Sequence, residues 1–335
     1  MSSAPLHSEQ LKAEAQRLGF LRCGLAPAHD LPPEVQARYA RWLARGGHAG
    51  MHYLERHAEQ RTRPGLLVPG VRTIVSLALS YHPADGPTQP GLAWYAQGQD
   101  YHEVMKRRMQ QLMDTLGLTG RCFADTAPVA EKYWAWRCGL GFVGRNTQVV
   151  IPRLGSAFFL GELFLLDEAD RYDEPLTPSF FHHRCGTCRR CVEACPTQAL
   201  GPEGGALDAG RCLSYLSIEH RGPLPSWAKE HLSPCFDGCD RCLRACPHLH
   251  APSSAPLPEF APSPRLLAIQ PADWQDLTPE AYRLLFKGSA VKRAKFEGLT
   301  RNIQAARAGS GTQPGCDPQG HGQDHGGQAP GPSAP

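Results

Sequence analysis

The cysteines between residues 185 and 246 constrain this chain more than any other feature. Cys185, Cys188, Cys191 and Cys195, followed by Pro196, match the C-x2-C-x2-C-x3-C-P run of bacterial two-cluster ferredoxins. Three thiolates two residues apart can wrap one iron-sulfur cube, whereas the fourth is carried toward the neighbouring cube. The spacing therefore predicts two clusters of the 4Fe-4S type.

A second cysteine run completes the pair. Cys239, Cys242 and Cys246 precede Pro247 but lack one cysteine of the first run, so Cys212 is the natural substitute and Cys235 its competitor. The predicted ligands of one cluster are Cys185, Cys188, Cys191 and Cys246, and those of the other are Cys195, Cys212, Cys239 and Cys242. A pair of tetrahedral zinc sites is the alternative, although zinc does not require a triple-cysteine run ending in Cys-Pro.

Length and composition indicate a cytoplasmic protein. The chain has 335 residues and 13 cysteines, enough for two ordinary domains without disulfides. It shows neither an apolar run of the roughly 20 residues that a membrane helix needs nor a secretory signal. We therefore expect a soluble cytoplasmic protein with no membrane contact. A monomer is the expected state, although the sequence does not fix it.

Hydrophobic periodicity predicts a mixed α/β first half. The predicted elements are a helix capped by Ser8 and stopped by Gly19, a strand at 73–81, a helix capped by Asp100 with a methionine-rich core stripe, a helix at 129–138, and strands at 148–151 and 157–166. The predicted domains are 1–178, a cysteine-organised domain at 179–251, a linker with basic helices at 252–308, and a disordered tail at 309–335.

The basic helical segment is a candidate nucleic-acid surface. From Arg283 to Arg307 seven basic residues stand against one acidic residue, Glu297. That charge suits a phosphate backbone, and a solvated helix face is the alternative.

The first domain has no G-x-G-x-x-G fingerprint, so these residues alone do not identify the substrate. Several separated segments nevertheless resemble the epoxyqueuosine reductases, which are cobalamin-dependent iron-sulfur enzymes of the last step of queuosine synthesis on tRNA. The matching segments are GMHYLERHAEQRTRP at 50–64, YAQGQDYH at 95–102, ADTAPVAEKYWAWRCGLGFVGRNT at 124–147, GSAFFLGELFL at 155–165, RCLSYLSIEHRGPLP at 211–225, GSAVKRAKFEGLTRN at 288–302 and both cysteine runs.

The resemblance implies an α+β protein in which a nitroreductase-like cobalamin-binding domain precedes a two-cluster ferredoxin-like domain and a short helical C-terminal segment. Asp125, in the DTAP motif, aligns with the family's proton donor. Opening an epoxide with electrons leaves an alkoxide, which needs an acid within hydrogen-bond reach. The apolar Phe123, Ala124 and Pro128 are expected to raise the pKa of Asp125 for that purpose. The alternative is that Asp125 or Thr126 caps the following helix.

The resemblance also implies ligand contacts and partners. The expected cobalamin neighbours are Arg61, Tyr95, His102, Asp125, Asn146, Gly155, Ser156, Phe159 and Ser214. The expected substrate contacts are Tyr215, Glu219, His220, Arg221, Lys292, Arg293, Lys295 and Arg301. The expected partners are tRNA with epoxyqueuosine in a GUN anticodon and an electron donor such as flavodoxin or ferredoxin. Competing hypotheses are a corrinoid reductive dehalogenase, a zinc-ribbon nucleic-acid binder and a simple electron carrier.

Overall fold

A computed structural model of the chain describes residues 6–252 and 256–309. Its strands are β1 (Arg22–Pro27), β2 (Thr73–Ser80), β3 (Gly120–Phe123), β4 (Phe142–Val143), β5 (Val149–Val150) and β6 (Phe158–Leu165). Its α-helices are α1 (Ser8–Arg17), α2 (Pro33–Ala44), α3 (Tyr53–Arg56), α4 (Ala58–Thr62), α5 (Tyr101–Leu116), α6 (Glu131–Arg137), α7 (Arg190–Glu193), α8 (Leu213–Ile218), α9 (Ser226–Leu232), α10 (Arg241–Arg244), α11 (Pro264–Leu267), α12 (Pro279–Leu285) and α13 (Lys295–Gly309).

A four-stranded antiparallel sheet organises the first half in the order β1-β2-β6-β3. Strand β2 lies inside the sheet and is buried over nearly its whole length. Its side chains alternate between two cores, because successive residues of a strand point to opposite faces. Val75 and Leu77 pack on one face, and Ile74 and Ala78 pack on the other.

Helices cover both faces of this sheet. On one face, α1 contributes Leu11 and α5 contributes Met105 and Met109, which confirms the predicted methionine core. On the other face, α6 contributes the fully buried Trp134. Burying a large side chain stabilises a fold by roughly 1.5–3 kcal/mol, so both helical layers contribute to the stability of the sheet.

The second half is built from short helices around the cysteines and a third core. That core joins α8, α9 and α13 through side chains such as Leu216, Leu232, Leu299 and Ile303. It draws residues from both sides of the domain boundary predicted at 251. None of the helices in the described ranges has the length and apolar character required to cross a membrane.

Some predicted element ends differ from the structure. His7, not Ser8, precedes α1, and the helix predicted at 129–138 begins at Glu131. Within the basic helical segment predicted at 252–308, a 3-10 turn, Ala290–Ala294, is followed by α13, and the two are separate because Lys295 takes a positive φ of 62°. Most of the predicted tail lies outside the described residues.

Candidate metal centre and active site

Two small cavities in the second half are each lined by four cysteines. The first, of about 50 Å³, is lined by Cys185, Cys188, Cys191 and Cys246. The second, of about 70 Å³, is lined by Cys195, Cys212, Cys239 and Cys242. These are the two predicted sets, so the last cysteine of each run reaches the cavity of the other. Cys235 does not line either cavity among the described residues, and the second cavity therefore favours Cys212.

Short helices carry the cysteines to these cavities. Cys191 lies in α7 and Cys242 lies in α10. Each helix ends close to a Cys-Pro pair, because proline has no N–H with which to continue the helix. After the turn, the backbone N–H of Ala199 donates to Cys195 Sγ at 3.3 Å. A donor to the sulfur suits a thiolate ligand.

Burial favours the protonated form of Cys191 and Cys239 until a metal binds. Desolvation, and then the charges of Cys185 and Cys246, raise the pKa of Cys191 to about 11. Desolvation also raises the pKa of Cys239 to about 11. Metal ions bind the thiolate form and release the proton. An all-sulfur donor set that is buried in this way fits iron-sulfur clusters.

Asp125 lies in the loop between β3 and α6, at a positive φ of 55°. Its backbone N–H donates to Glu131 Oε1 at 2.6 Å. Its Oδ2 accepts a hydrogen bond from the Tyr101 hydroxyl at 2.5 Å and lies 3.3 Å from His102 Nε2. Neither Asp125 nor Thr126 caps α6, whose N-cap is Ala130, so the alternative capping role is wrong.

His102 links two carboxylates. Its Nδ1 lies 2.6 Å from Asp100 Oδ1, and its Nε2 faces Asp125. Asp100 also accepts from the backbone N–H of His102 as the predicted N-cap of α5. The Tyr101 ring stacks between His102 and Phe159, at centroid distances of 4.0 and 4.2 Å. The imidazole is therefore oriented by both hydrogen bonding and packing.

These contacts favour the carboxylate form of Asp125 and the protonated form of His102. Desolvation raises the pKa of Asp125, but hydrogen bonds from His102 and Tyr101 lower it by more. The pKa of Asp125 therefore lies below its ordinary value. Desolvation lowers the pKa of His102, yet Asp100 and Asp125 raise it to about 9. The expectation of a raised pKa at Asp125 is therefore wrong.

Glu131 is a second acid beside the Asp125 loop. Burial, and then the charge of Asp125, raise its pKa to about 8. Sequence reasoning missed Glu131 and Tyr101, although both lie in the quoted motifs. Tyr101 directly precedes His102 in the first turn of α5, and this adjacency was the sequence feature that could have indicated its place in the site.

A cavity of about 1030 Å³ opens beside this loop. Its lining includes Leu31, Val35, Arg38, Tyr39, Trp42, Arg61, Val129, Glu131, Lys132, Tyr133, Thr147 and Phe180. Small-molecule and cofactor sites occupy about 300–1,000 Å³, so the volume suits a large ligand. Arg61 Nε and Thr147 Oγ1 are buried without a hydrogen-bond partner among the described residues. Polar atoms of a large cofactor would satisfy these groups.

The residues predicted to contact cobalamin lie in different places. Arg61 lines the large cavity. A second group surrounds Tyr101 and consists of Tyr95, His102, Asp125 and Phe159. Within the described ranges neither this second group nor the remaining predicted contacts, Asn146, Gly155, Ser156 and Ser214, line the large cavity. Of these, Asn146 lines both cysteine cavities.

The predicted substrate contacts meet between α8 and the start of α13. Glu219 and Arg293 form a double hydrogen bond with both distances 2.8 Å, and Arg221 donates to the Arg293 carbonyl at 2.8 Å. Lys292 and Lys295 are exposed beside them. This arrangement gathers cations on one surface.

Other residues of that set make internal contacts. The Tyr215 hydroxyl accepts from the Gly50 N–H at 2.9 Å, and His220 Nε2 lies 3.0 Å from the Pro223 carbonyl. Arg301 donates to three carbonyls of the segment 216–222. Its guanidinium therefore holds α13 against α8.

Two family models match parts of this chain. The model of the family described as "Epoxyqueuosine reductase QueG, DUF1730" matches residues 61–126. The model described as "4Fe-4S double cluster binding domain" matches residues 184–248, which confirms the iron-sulfur prediction at the level of the domain.

Similarity extends over most of the chain. An epoxyqueuosine reductase of Cellulophaga algicola is 38% identical over 314 residues, covering 90% of this chain and 99% of that protein. A crystal structure of epoxyqueuosine reductase with an epoxyqueuosine-modified tRNA stem loop has a TM-score of 0.80, 26% identity, and coverage of 90% of this chain and 80% of that chain. A Bacillus subtilis epoxyqueuosine reductase, with the catalytic loop of an aspartate swung out of the active site, has a TM-score of 0.79, 26% identity, and coverage of 90% and 81%.

Proposed function

This chain belongs to the epoxyqueuosine reductase family, and from that premise we propose that it reduces epoxyqueuosine to queuosine at the wobble position of tRNA. The observation that carries the proposal is 38% identity with a relative of that name over 99% of the relative's length. The tRNA stem loop bound by a similar structure supports tRNA as the substrate. Flavodoxin or ferredoxin would supply the electrons.

We propose that two 4Fe-4S clusters carry these electrons. One would bind Cys185, Cys188, Cys191 and Cys246, and the other Cys195, Cys212, Cys239 and Cys242. The two four-cysteine cavities and the double-cluster family match support this assignment. The exchange of Cys195 and Cys246 between cavities would keep the clusters side by side.

Cobalamin is the proposed second cofactor, on a nitroreductase-like scaffold formed by the three-layer domain. The volume of the large cavity and the unpartnered Arg61 Nε and Thr147 Oγ1 support this fit. Arg61, Lys132 and Thr147 would hold it from the cavity wall. When bound, it supplies redox chemistry at a cobalt centre.

Deoxygenating an epoxide to an alkene breaks two C–O bonds, forms one C=C π bond, and consumes two electrons and two protons to give water. We propose that Asp125 passes the protons to the departing oxygen. An alkoxide leaves slowly without such an acid. The catalytic aspartate loop of the Bacillus subtilis enzyme supports a role for this loop.

The proton that Asp125 delivers would be stored on His102. At neutral pH the lowered pKa of Asp125 favours its carboxylate, whereas His102, with a pKa of about 9, is protonated. The Nε2–H of His102 points at Asp125 Oδ2 across 3.3 Å. Asp100 holds Nδ1 and keeps the ring in that orientation. His102 would therefore pass one proton to Asp125, take up another from bulk water, and pass that one on, so that two protons reach the oxygen.

The surface around Arg293 is the proposed site for the tRNA phosphates. Lys292 and Lys295 are exposed beside the Glu219–Arg293 pair. Phosphate contacts position a nucleic acid and depend strongly on salt. The accessible part of this surface would bind the anticodon stem.

The test uses anaerobically purified full-length protein loaded with cobalamin, a chemical reductant, and an anticodon stem loop that carries epoxyqueuosine. We expect loss of one oxygen from the modified base by mass spectrometry. Reactions without reductant or cobalamin are the controls. Absence of conversion by protein that holds iron, sulfide and cobalt would overturn the proposal.

A further inference from the structure

Asn146 occupies a position that no other described residue shares. It lines the cavity of Cys185, Cys188, Cys191 and Cys246 and also the cavity of Cys195, Cys212, Cys239 and Cys242. It does not line the large cavity, although its neighbours Gly144 and Thr147 do. Asn146 thus lies at the junction of the two cysteine sites.

The hydrogen bonds of its side chain are only half satisfied. Asn146 is 3% exposed, and its Oδ1 accepts from the backbone N–H of Gln148 at 3.2 Å. Its Nδ2 is buried and has no partner among the described residues. Leaving a buried donor unpaired costs about 1–3 kcal/mol, so such a group calls for an acceptor.

The surroundings also hold this amide in place. A Cβ added at Gly144 would lie 2.9 Å from Asn146 Oδ1 and 3.8 Å from Cys185 Sγ, so a larger residue would displace the amide. The neighbouring Arg145 donates to the carbonyls of Glu203 and Gly186. Its Nε is a further unpaired donor at the first cavity.

We propose that Asn146 donates its Nδ2–H to a sulfur atom of a bound iron-sulfur cluster, where the two clusters meet, and thereby raises the reduction potential of that cluster. This inference rests on the iron-sulfur part of the proposed function. The acceptor is an inorganic sulfide or a cysteine thiolate. Reduction adds negative charge to the cluster, so a donor to sulfur stabilises the reduced form more than the oxidised form.

The experiment replaces the amide by an apolar side chain of similar size, Asn146→Leu, in the full chain. Potentials of both clusters are measured by redox titration followed by electron paramagnetic resonance, after iron and sulfide have been quantified. Only the part of the hydrogen-bond energy that is gained on reduction changes the potential, so we expect the equilibrium constant of reduction to fall by up to about tenfold. For a one-electron couple this corresponds to a decrease in potential of up to about 59 mV. The exposed Gln110→Leu in α5 is the control and should leave both potentials unchanged.

A second measurement uses the wild-type protein. Asn146 and Asn302 are the two asparagines of the sequence, and Asn302 Nδ2 already donates to the carbonyls of Ser217 and Phe236. Asparagine labelled with ¹⁵N in its side chain should therefore give one nitrogen coupling to a reduced cluster in pulsed resonance spectra. Full clusters with unchanged potentials in Asn146→Leu, or a wild-type spectrum without this coupling, would overturn the inference. Protein without iron and sulfide would instead overturn the proposed function.

Discussion

Replacing Asp100 by Asn should move the alkaline limit of the reaction to lower pH. Asp100 and Asp125 together hold the pKa of His102 at about 9, against an ordinary value of 6.5. Removing one of these two charges should lower that pKa by roughly one, which corresponds to about 1.4 kcal/mol. His102 would then lose its proton near pH 8. Asn is also a good N-cap, so α5 should keep its first turn.

The sign of the effect follows from which form of His102 carries the proton. His102 is active when protonated, so the rate should be constant at low pH and fall as pH rises through the pKa. At pH 9 the protonated fraction falls from about one half to about one tenth, giving a loss of about fivefold in Asp100→Asn. At pH 6.5 the two proteins should react at the same rate.

The assay is single-turnover conversion of the modified stem loop from pH 6 to pH 10, with the clusters reduced beforehand. Other titratable or charged groups near the His102–Asp125 pair are Tyr95, Tyr101, Lys106, Glu131 and Arg293. Glu131, with a pKa of about 8, is the group most able to imitate the effect. The role of His102 would be refuted if the fall in rate at alkaline pH disappeared in Glu131→Gln and kept its midpoint in Asp100→Asn.

Three further predictions concern other parts of the molecule. Asp125→Asn should keep iron, sulfide and cobalt yet lose at least about a hundredfold in single-turnover rate, since acid catalysis contributes about 10²–10⁴; unchanged turnover would remove the proposed acid. Cys212→Ser should lose one of the two clusters whereas Cys235→Ser should keep both, measured as iron per chain; the reverse result would exchange their roles. Arg293→Ala should weaken binding of the stem loop and reduce its dependence on salt, whereas Glu219→Gln, which frees Arg293 from its ion pair, should not weaken it.

Sequence spacing predicted the metal centre better than the acid site. Cysteine runs place thiolates through the local geometry of a loop, so the exchange of Cys195 and Cys246 could be anticipated from spacing alone. The environment of Asp125 depends on α5, which is distant in sequence. His102 and Tyr101 reach the loop only because α5 packs on the sheet beside β6. The apolar residues that flank Asp125 in the sequence therefore suggested a raised pKa, whereas the contacts with α5 lower it.

Periodicity also predicted the fold unevenly. The long buried strands β2 and β6 were predicted within about one residue, because continuous apolar runs are a strong signal. Strand β1 was missed, since Gly24 and Pro27 are poor strand residues. Its Gly24 is required by a tertiary contact, because a Cβ there would lie within 3 Å of the Cys138 carbonyl. A single sequence does not reveal that contact.

The crossed cysteine sets have a consequence for how this protein matures. Each four-cysteine cavity takes one cysteine from the run that supplies most of the other cavity. Cys195 lines the cavity of the second run, and Cys246 lines the cavity of the first. Binding of the first iron-sulfur cluster would order both cysteine loops and so favour binding of the second cluster. Loss of either loop as a whole would therefore remove ligands from both redox centres, whereas loss of Cys212 alone would affect only one of them.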